Sequence, residues 1–322
     1  MTLFRFVFWD ENSSRLRVGW RLIIQFILLV IFLACFGFLA VQFGDRVPRD
    51  PLDESITILD SAAALLSIAL SVWLAGRFVD RRRFADFGFR LGWSWWLDLA
   101  FGVALGALLQ AGIFVIEIAS GWAAVTGVFW SRRDGFAFPI GMLLILFSLV
   151  GAGVAEELWN RGYLLKNLAE GLTFRPLGQK GAILLATFGT AITFGLGHAT
   201  NPDSSVVSTM ALVLAGILYA TAYVLTGELA IPIGYHIAWN FFEGAVFGFP
   251  VSGYPLGASF VVTYVQGPDM WTGGAFGPEA GILGMLARVV GILLILAWVW
   301  LRYRRISLRE ELTTPDLLRD FR

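Results

Sequence analysis

Residues 156–161 bring two carboxylates, an amide and a guanidinium together in an otherwise apolar stretch. Charge at membrane depth costs roughly 2.5–3.5 kcal/mol per residue on insertion scales, so these groups need partners or a function. Glu157 and Arg161 are i,i+4 neighbours with the acid first, which is the favourable order for an ion pair. Glu156 lies about 100° further around the helix and shares a face with Asn160. We therefore expect Arg161 to neutralise Glu157, and Glu156 to point elsewhere.

Both histidines of the chain fall in apolar segments. Phe194 precedes His198 by one helical turn, where its ring can hold the imidazole, while His236 and Asn240 are i,i+4 and share a face. A single histidine in a membrane helix is often an interhelical hydrogen-bond partner. Two histidines, an unpaired glutamate and an asparagine, all in buried segments, instead favour a reactive site.

Two chemistries suit this set of side chains. A carboxylate beside an imidazole can take a proton from water, while a second imidazole and a carboxamide supply two donors to a developing oxyanion. Together they suffice for amide hydrolysis. Alternatively, Glu156, His198 and His236 form a two-histidine, one-glutamate ligand set for zinc with a position left for water. The sequence contains no His-Glu-x-x-His helix, Gly-x-Ser-x-Gly elbow, P-loop or dinucleotide fingerprint.

Composition assigns the chain to a membrane. It is 57% apolar, with a mean hydropathy of +0.72, and its 24 basic and 24 acidic residues cancel, so no nucleic-acid partner is indicated. Its single cysteine, Cys35, excludes disulfides within the chain. Most apolar segments reach the roughly 20 residues that a crossing requires. They are 20–43, 56–79, 97–120, 137–166, 181–200, 205–226, 229–248 and 281–301. The prediction is an all-α integral membrane protein, a polytopic bundle of about eight transmembrane helices, with a polar cavity between spans four to seven.

The basic residues indicate the orientation. With the N-terminus inside, eighteen of the 24 Lys and Arg fall on inner segments and four on outer ones, namely Arg46, Arg49, Arg132 and Arg133. The positive-inside rule then predicts a multi-pass protein of the cell membrane with both termini cytoplasmic. The outer segment 249–280 lacks Lys and Arg, and we expect a loop there rather than a lid.

Three motifs on separate predicted helices resemble one family. Glu156-Glu157-x-x-x-Arg161, Phe194-x-x-x-His198 and His236-x-x-x-Asn240, in this order, are similar to the CPBP family of CAAX-prenyl-protease and bacteriocin-processing intramembrane proteases, also called Abi. The resemblance divides the chain into three spans at 1–136, a catalytic core of spans four to seven at 137–248, and an outer loop, last span and basic tail at 249–322.

The resemblance also implies roles. Glu156 with His198 would activate water, His236 with Asn240 would form an oxyanion hole, and Glu157, Arg161 and Phe194 would support them. Members have been described both as metalloproteases and as metal-independent glutamate proteases. We favour the form that requires no cofactor because Asn240 is a better oxyanion donor than zinc ligand, with zinc as the alternative. The partners would be the lipid bilayer and a membrane-associated peptide or protein substrate.

Several alternatives remain open on sequence alone. The same polar core could serve a non-catalytic binding, immunity or scaffold protein, or less readily a transporter, because no inverted repeat of broken helices is seen. Arg288 has three possible partners in Glu117, Glu243 and Glu279. His198 lies 17 residues beyond Gly181, or roughly 26 Å along a helix. For it to meet Glu156, the fifth helix must begin well inside the cytosol or tilt strongly, and the chain must turn back within the protein at 201–203.

Overall fold

A computed structural model describes residues 7–10, 13–44, 58–132 and 138–318 of the chain. Nine helices are labelled here: α1 Val18–Gly44, α2 Ile58–Leu74, α3 Trp93–Ala119, α4 Phe138–Glu157, α5 Lys166–Gly171, α6 Gly178–Gly197, α7 Val206–Thr226, α8 Ala230–Asn240 and α9 Ile282–Tyr303. Segments of π-helix follow α2 at Ala75–Val79, α4 at Leu158–Leu165 and α8 at Phe241–Val246. Shorter helical turns lie at Phe84–Phe87, Asp269–Thr272, Gly274–Phe276, Pro278–Ala280 and Glu310–Thr313.

The predicted fold class is confirmed: the chain is a polytopic helical membrane protein. Each of the eight apolar segments forms a helix, and in the described part of the chain seven helices are long and apolar enough to cross a membrane. The remaining segment, 229–248, forms α8, which is too short for a crossing. This helix has eleven residues, nine of them buried, and continues as π-helix to Val246. It is enclosed by other helices, so it does not need a lipid-facing apolar surface.

Glycines bring α8 into backbone contact with α3. A Cβ on Gly102 would lie 2.5 Å from the Ile231 carbonyl oxygen, one on Gly106 would lie 2.7 Å from that of Tyr235, and one on Gly234 would lie 2.4 Å from an α3 carbonyl. Contact positions therefore rise together along both helices, and α3 and α8 run parallel. Small residues allow this approach, as is usual where membrane helices pack.

Two small antiparallel sheets, which the sequence did not predict, accompany the helices. Strands β1 Trp9–Asp10 and β2 Arg15–Leu16 pair near the N-terminus. Strands β3 Ala123–Ser131 and β4 Ala258–Val265 pair with Ala123 opposite Val265 and Ser131 opposite Ala258. The expected loop at 249–280 therefore contributes a strand, because β3 supplies backbone partners from a distant part of the sequence. Arg46, Arg49 and Arg133 lie outside the described residues.

Two buried acids near this sheet have different partners. Glu279 is the partner of Arg288, whose Nη2 lies 3.5 Å from Glu279 Oε1 and whose Nη1 donates to the Glu279 carbonyl at 2.7 Å. The Arg288 guanidinium also lies 5.1 Å from the Trp239 ring centroid. Glu243 accepts a hydrogen bond from Gln110 at 2.9 Å. The sequence left the choice of partner open, and the structure selects Glu279.

A buried network of ion pairs connects several of the predicted inner segments at one end of the bundle. Glu170 on α5 accepts hydrogen bonds from Arg15 at 2.6 Å, from Arg21 at 2.8 Å, and from Arg82. The C-terminal tail returns to the same end, where Gln179 donates to Thr313 at 3.0 Å. Segments from four parts of the chain thus meet at one end of the bundle.

The α3–α8 contact is tested by two glycines of the same helix. Gly102→Ala places a methyl group against a backbone carbonyl that cannot rotate away, and overpacking of this kind costs about 1–3 kcal/mol or more. Gly112→Ala is the control, since nothing lies within 4 Å of its Cβ position. We expect a lower melting temperature in micelles for Gly102→Ala alone. Equal stability of the two variants would contradict the packing described.

Asp86 provides a test of the ionic network. Its carboxylate accepts from Arg82 at 2.7 Å and from Lys166 at 2.6 Å. Burial raises the pKa of Asp86, but the Lys166 and Arg82 cations outweigh it and hold this pKa below its ordinary value. Because the folded pKa is lowered, the stabilisation is complete above pH about 4 and is lost as the pH falls through the folded pKa.

We therefore expect Asp86→Asn to lower the free energy of unfolding by roughly 3–5 kcal/mol at pH 7, the usual cost of breaking a buried pair. The control Glu310→Gln removes the exposed partner of Lys180, 3.6 Å away, and should change little. Unfolding in micelles at pH 7 and pH 3.5 measures both, and the difference between Asp86→Asn and wild type should shrink at the lower pH. A pH-independent difference would contradict the ionic account.

Candidate active site

One buried carboxylate oxygen joins two of the three motifs. Glu157 Oε1 lies 3.0 Å from Arg161 Nη1 and 3.0 Å from His236 Nδ1, and all three residues are buried. The i,i+4 ion pair predicted from the sequence is therefore confirmed. Since a carboxylate accepts hydrogen bonds, the His236 Nδ1 must carry the proton, which leaves Nε2 to face the site.

Arg161 is held by contacts beyond its ion pair with Glu157. Its second terminal nitrogen donates to the Gly216 carbonyl at 3.1 Å, and its guanidinium lies 4.7 Å from the Phe194 ring centroid and 4.9 Å from that of Tyr219. Cation–π contacts of this kind are strongest where water is excluded. The charge that neutralises Glu157 therefore has one orientation.

Glu156 takes no part in this pair. Its side chain is 34% exposed, and its Oε2 lies 4.0 Å from His198 Nε2. That distance is too long for a direct hydrogen bond. A small molecule can therefore lie between Glu156 Oε2 and His198 Nε2 and form a hydrogen bond with each.

The hydrogen bond of His198 determines its tautomer. Its Nδ1 lies 2.8 Å from the Phe194 carbonyl oxygen, which can only accept, so Nδ1 carries the proton. In the neutral ring, Nε2 then presents a lone pair towards Glu156. The Phe194 ring contacts the imidazole at a centroid distance of 4.8 Å, as the sequence predicted.

Helix length explains how His198 reaches Glu156. The helix that starts as α4 continues through its π segment and α5 for fourteen residues beyond Glu157, to Gly171. After a short turn α6 returns over its twenty residues, so that His198 caps it at the level of Glu156. The fifth span thus starts far beyond Glu157, which is one of the two arrangements expected. The turn after it is held by Asn201, which donates to the Ser252 carbonyl at 3.0 Å.

The second histidine lies deeper than the first. His236 is 4% exposed and its ring stacks on Tyr219 at a centroid distance of 4.9 Å. Phe194 lies between the two imidazoles, with its centroid 6.0 Å from that of His236. Asn240 is one helical turn beyond His236 and half-buried, and its side chain makes no hydrogen bond to the described residues.

Tyr219 and Thr193 were missed by sequence reasoning. Tyr219 packs on both Arg161 and His236, and Thr193 lies 3.4 Å from the Asn160 side-chain oxygen. A buried tyrosine three residues after Gly216 was the available signal. It has no spacing relation to the three motifs, so only the packing of α7 against the π segment Leu158–Leu165 and against α8 identifies it.

Two of the three site-bearing helices, α4 and α8, change to π geometry where their functional residues lie. α4 ends at Glu157 and the π segment Leu158–Leu165 follows, and α8 ends at Asn240 before Phe241–Val246. Wider turns of this kind occur frequently at functional sites. Here they determine the directions of Arg161 and of the segment after Asn240.

The positions of Glu156, His198 and His236 bear on the zinc alternative. Within the described residues, no group of three or more His, Cys, Asp or Glu side chains is placed to hold a metal ion. Ligands on one tetrahedral zinc lie about 2.0–2.2 Å from it and so roughly 3.3 Å from each other, whereas Glu156 and His198 are 4.0 Å apart. The side chains as placed do not form the site, and no step below is routed through a metal.

Comparison with known proteins gives one match. Residues 137–242 match the family model described as type II CAAX prenyl endopeptidase Rce1-like. No curated protein and no solved structure matches the chain. The matched segment contains all seven site residues predicted from the sequence, so the family resemblance drawn from the three motifs is confirmed.

The two adjacent glutamates should respond differently to the same change. Glu157→Gln leaves Arg161 buried without its counter-ion and should cost roughly 3–5 kcal/mol of stability. Glu156→Gln alters a partly exposed group outside the ion pair and should stay within about 0.5 kcal/mol of wild type. Unfolding in micelles compares them, and equal losses would show that the charge of Glu157 is not the one on which the fold depends.

Proposed function

We propose that this chain, whose residues 137–242 match the family model described as type II CAAX prenyl endopeptidase Rce1-like, is an intramembrane endopeptidase that uses Glu156 and His198 to activate water. The family match supports the peptidase activity. The separation of 4.0 Å between Glu156 Oε2 and His198 Nε2 carries the proposed mechanism.

A water molecule about 2.8 Å from each of these two atoms fits between them. It would donate one hydrogen to Glu156 and the other to the lone pair of His198, which leaves its own lone pairs to attack a carbonyl carbon. Glu156 takes the proton as the water oxygen forms its bond to that carbon. No covalent enzyme intermediate is required.

The carbonyl oxygen becomes an oxyanion during this attack. We assign its stabilisation to His236 and Asn240, which share a face of α8 and whose side chains offer Nε2–H and an amide N–H. Because His236 Nδ1 already donates to Glu157, at 3.0 Å, donation from Nε2 requires the imidazolium form. The Glu157 carboxylate favours that form, and this is how the buried ion pair would contribute to catalysis.

Collapse of the tetrahedral intermediate completes the reaction. The oxyanion re-forms the carbonyl, the carbon–nitrogen bond breaks, and the proton held by Glu156 passes to the leaving amine. The new carboxylic acid gives its remaining hydroxyl proton to His198 Nε2 or to bulk water, so that a carboxylate and an amine result. Both peptide products are then free to leave, because Glu156 and His198 are partly exposed rather than enclosed.

The family match and the distribution of basic residues support a proposal for the substrate and the location. We propose a membrane-associated peptide or protein substrate, cut at the cytoplasmic side of the cell membrane, with both termini of the enzyme cytoplasmic. The division at 1–136, 137–248 and 249–322 remains part of this proposal. Whether the substrate carries a prenyl group is a question for the assay.

Activity is tested with purified protein and a library of fluorogenic peptides, in prenylated and unprenylated forms. We expect Glu156→Gln and His198→Ala each to lower kcat by about 10²–10⁴-fold, the usual contribution of a general base. Glu310→Gln is the matched control, as an exposed glutamate on a short C-terminal helical turn, and should keep full activity.

A chelator distinguishes the two forms of the mechanism. We expect the rate to be unchanged after chelation. Loss of activity that zinc restores would instead assign Glu156, His198 and His236 to a metal. Full activity of folded Glu156→Gln would exclude the proteolytic mechanism and favour a non-catalytic binding role for the polar core.

A further inference from the structure

A second polar feature lies away from the catalytic residues. A cavity of about 350 Å³ opens beside the end of α2 and the segment that follows it. Arginine and aromatic side chains make up most of its wall, together with Leu318 of the C-terminal tail. They are Arg77, Arg82, Arg83, Trp73, Phe84 and Phe87. Among the residues that the structure describes, no acidic side chain lines it.

Two arginines of this wall, Arg82 and Arg83, still offer hydrogen-bond donors. Arg82 is 1% exposed and pairs through its terminal nitrogens with Asp86 and Glu170, but its Nε–H has no acceptor among the described residues. Arg83 is exposed, and its side chain forms no ion pair within the described part of the chain. A buried guanidinium donor without an acceptor is costly to leave unsatisfied, so the cavity is complementary to an anion.

The position of the cavity indicates a lipid. Arg77 lies near the end of the candidate membrane span Ser61–Val79, where a long basic side chain can extend towards the head groups while its stem stays in the apolar region. Trp73 and Phe78 are 47% and 57% exposed, and their rings meet edge to face at 6.1 Å. Exposed aromatic rings of this kind are typical of the membrane interface.

We propose that this cavity binds the phosphate group of an anionic phospholipid. The Arg83 and Arg77 guanidinium groups would contact the phosphate oxygens, with the Arg82 Nε–H as a further donor, since guanidinium groups match phosphate oxygens in geometry. The rings of Trp73 and Phe84 would cover the glycerol and the first carbons of the acyl chains. Basic pockets beside membrane helices are suited to such head groups. The proposal is independent of proteolysis.

A phospholipid and free inorganic phosphate both carry the group that the cavity would bind, so the test distinguishes these two ligands. Full-length protein in neutral micelles is titrated with phosphatidylglycerol, phosphatidylcholine or inorganic phosphate, and bound lipid is counted by native mass spectrometry. We expect phosphatidylglycerol to bind at least ten-fold more tightly than phosphatidylcholine. Inorganic phosphate should not compete at millimolar concentration. Equal binding of the two lipids, or competition by inorganic phosphate alone, would overturn the lipid assignment.

Variants locate the site. The double variant Arg77→Gln/Arg83→Gln should weaken phosphatidylglycerol binding at least ten-fold. Arg304→Gln/Arg305→Gln removes two exposed charges just beyond α9 and should leave binding unchanged. Arg83→Gln alone changes an exposed side chain and is not expected to affect folding. It should still weaken phosphatidylglycerol binding at least three-fold. Equal losses in the two double variants would show attraction by general positive charge and would overturn the proposal.

Discussion

The structure depends on one carboxylate inside an apolar bundle, that of Glu157. It accepts a hydrogen bond from the Arg161 guanidinium and another from the His236 imidazole. Glu157 Oε1 binds both Arg161 and His236 at 3.0 Å, in a region where an uncompensated charge would cost several kcal/mol. Rings of Phe194 and Tyr219 enclose the guanidinium, and glycine contacts hold α8 against α3 so that His236 reaches the carboxylate. If this interaction were lost, α4 and α8 would lose their shared polar contact.

The same interaction explains why two adjacent glutamates differ. A helix separates neighbouring side chains by about 100°, so Glu157 faces the core while Glu156 faces the end of α6. His198 reaches it only because α4 and α5 extend far past the motif before the chain turns back. Glu156 is thus available for chemistry for two reasons. Its neighbour Glu157 takes the ion pair, and the hairpin formed by α4, α5 and α6 is long enough to bring His198 to it.

Local rules were sufficient for part of this arrangement. The i,i+4 pair of Glu157 and Arg161, the contact of Phe194 with His198, and the eight helices could be predicted because each depends on spacing within one helix. The partner of Arg288, the role of Tyr219, the ionic network around Glu170 and the pairing of β3 with β4 could not. These contacts join residues far apart in sequence, and several acids were equally plausible partners until the helices were packed.

The two histidines permit a direct measurement of the central claim. In ¹⁵N NMR of protein labelled at histidine, each ring is assigned by substituting the other. The account predicts that the neutral ring of His198 carries its proton on Nδ1, because the Phe194 carbonyl oxygen accepts from Nδ1. It also predicts that His236 is protonated at Nδ1 and loses its hydrogen bond to the carboxylate in Glu157→Gln. A His198 protonated only at Nε2, or a His236 signal that does not respond to Glu157→Gln, would contradict it.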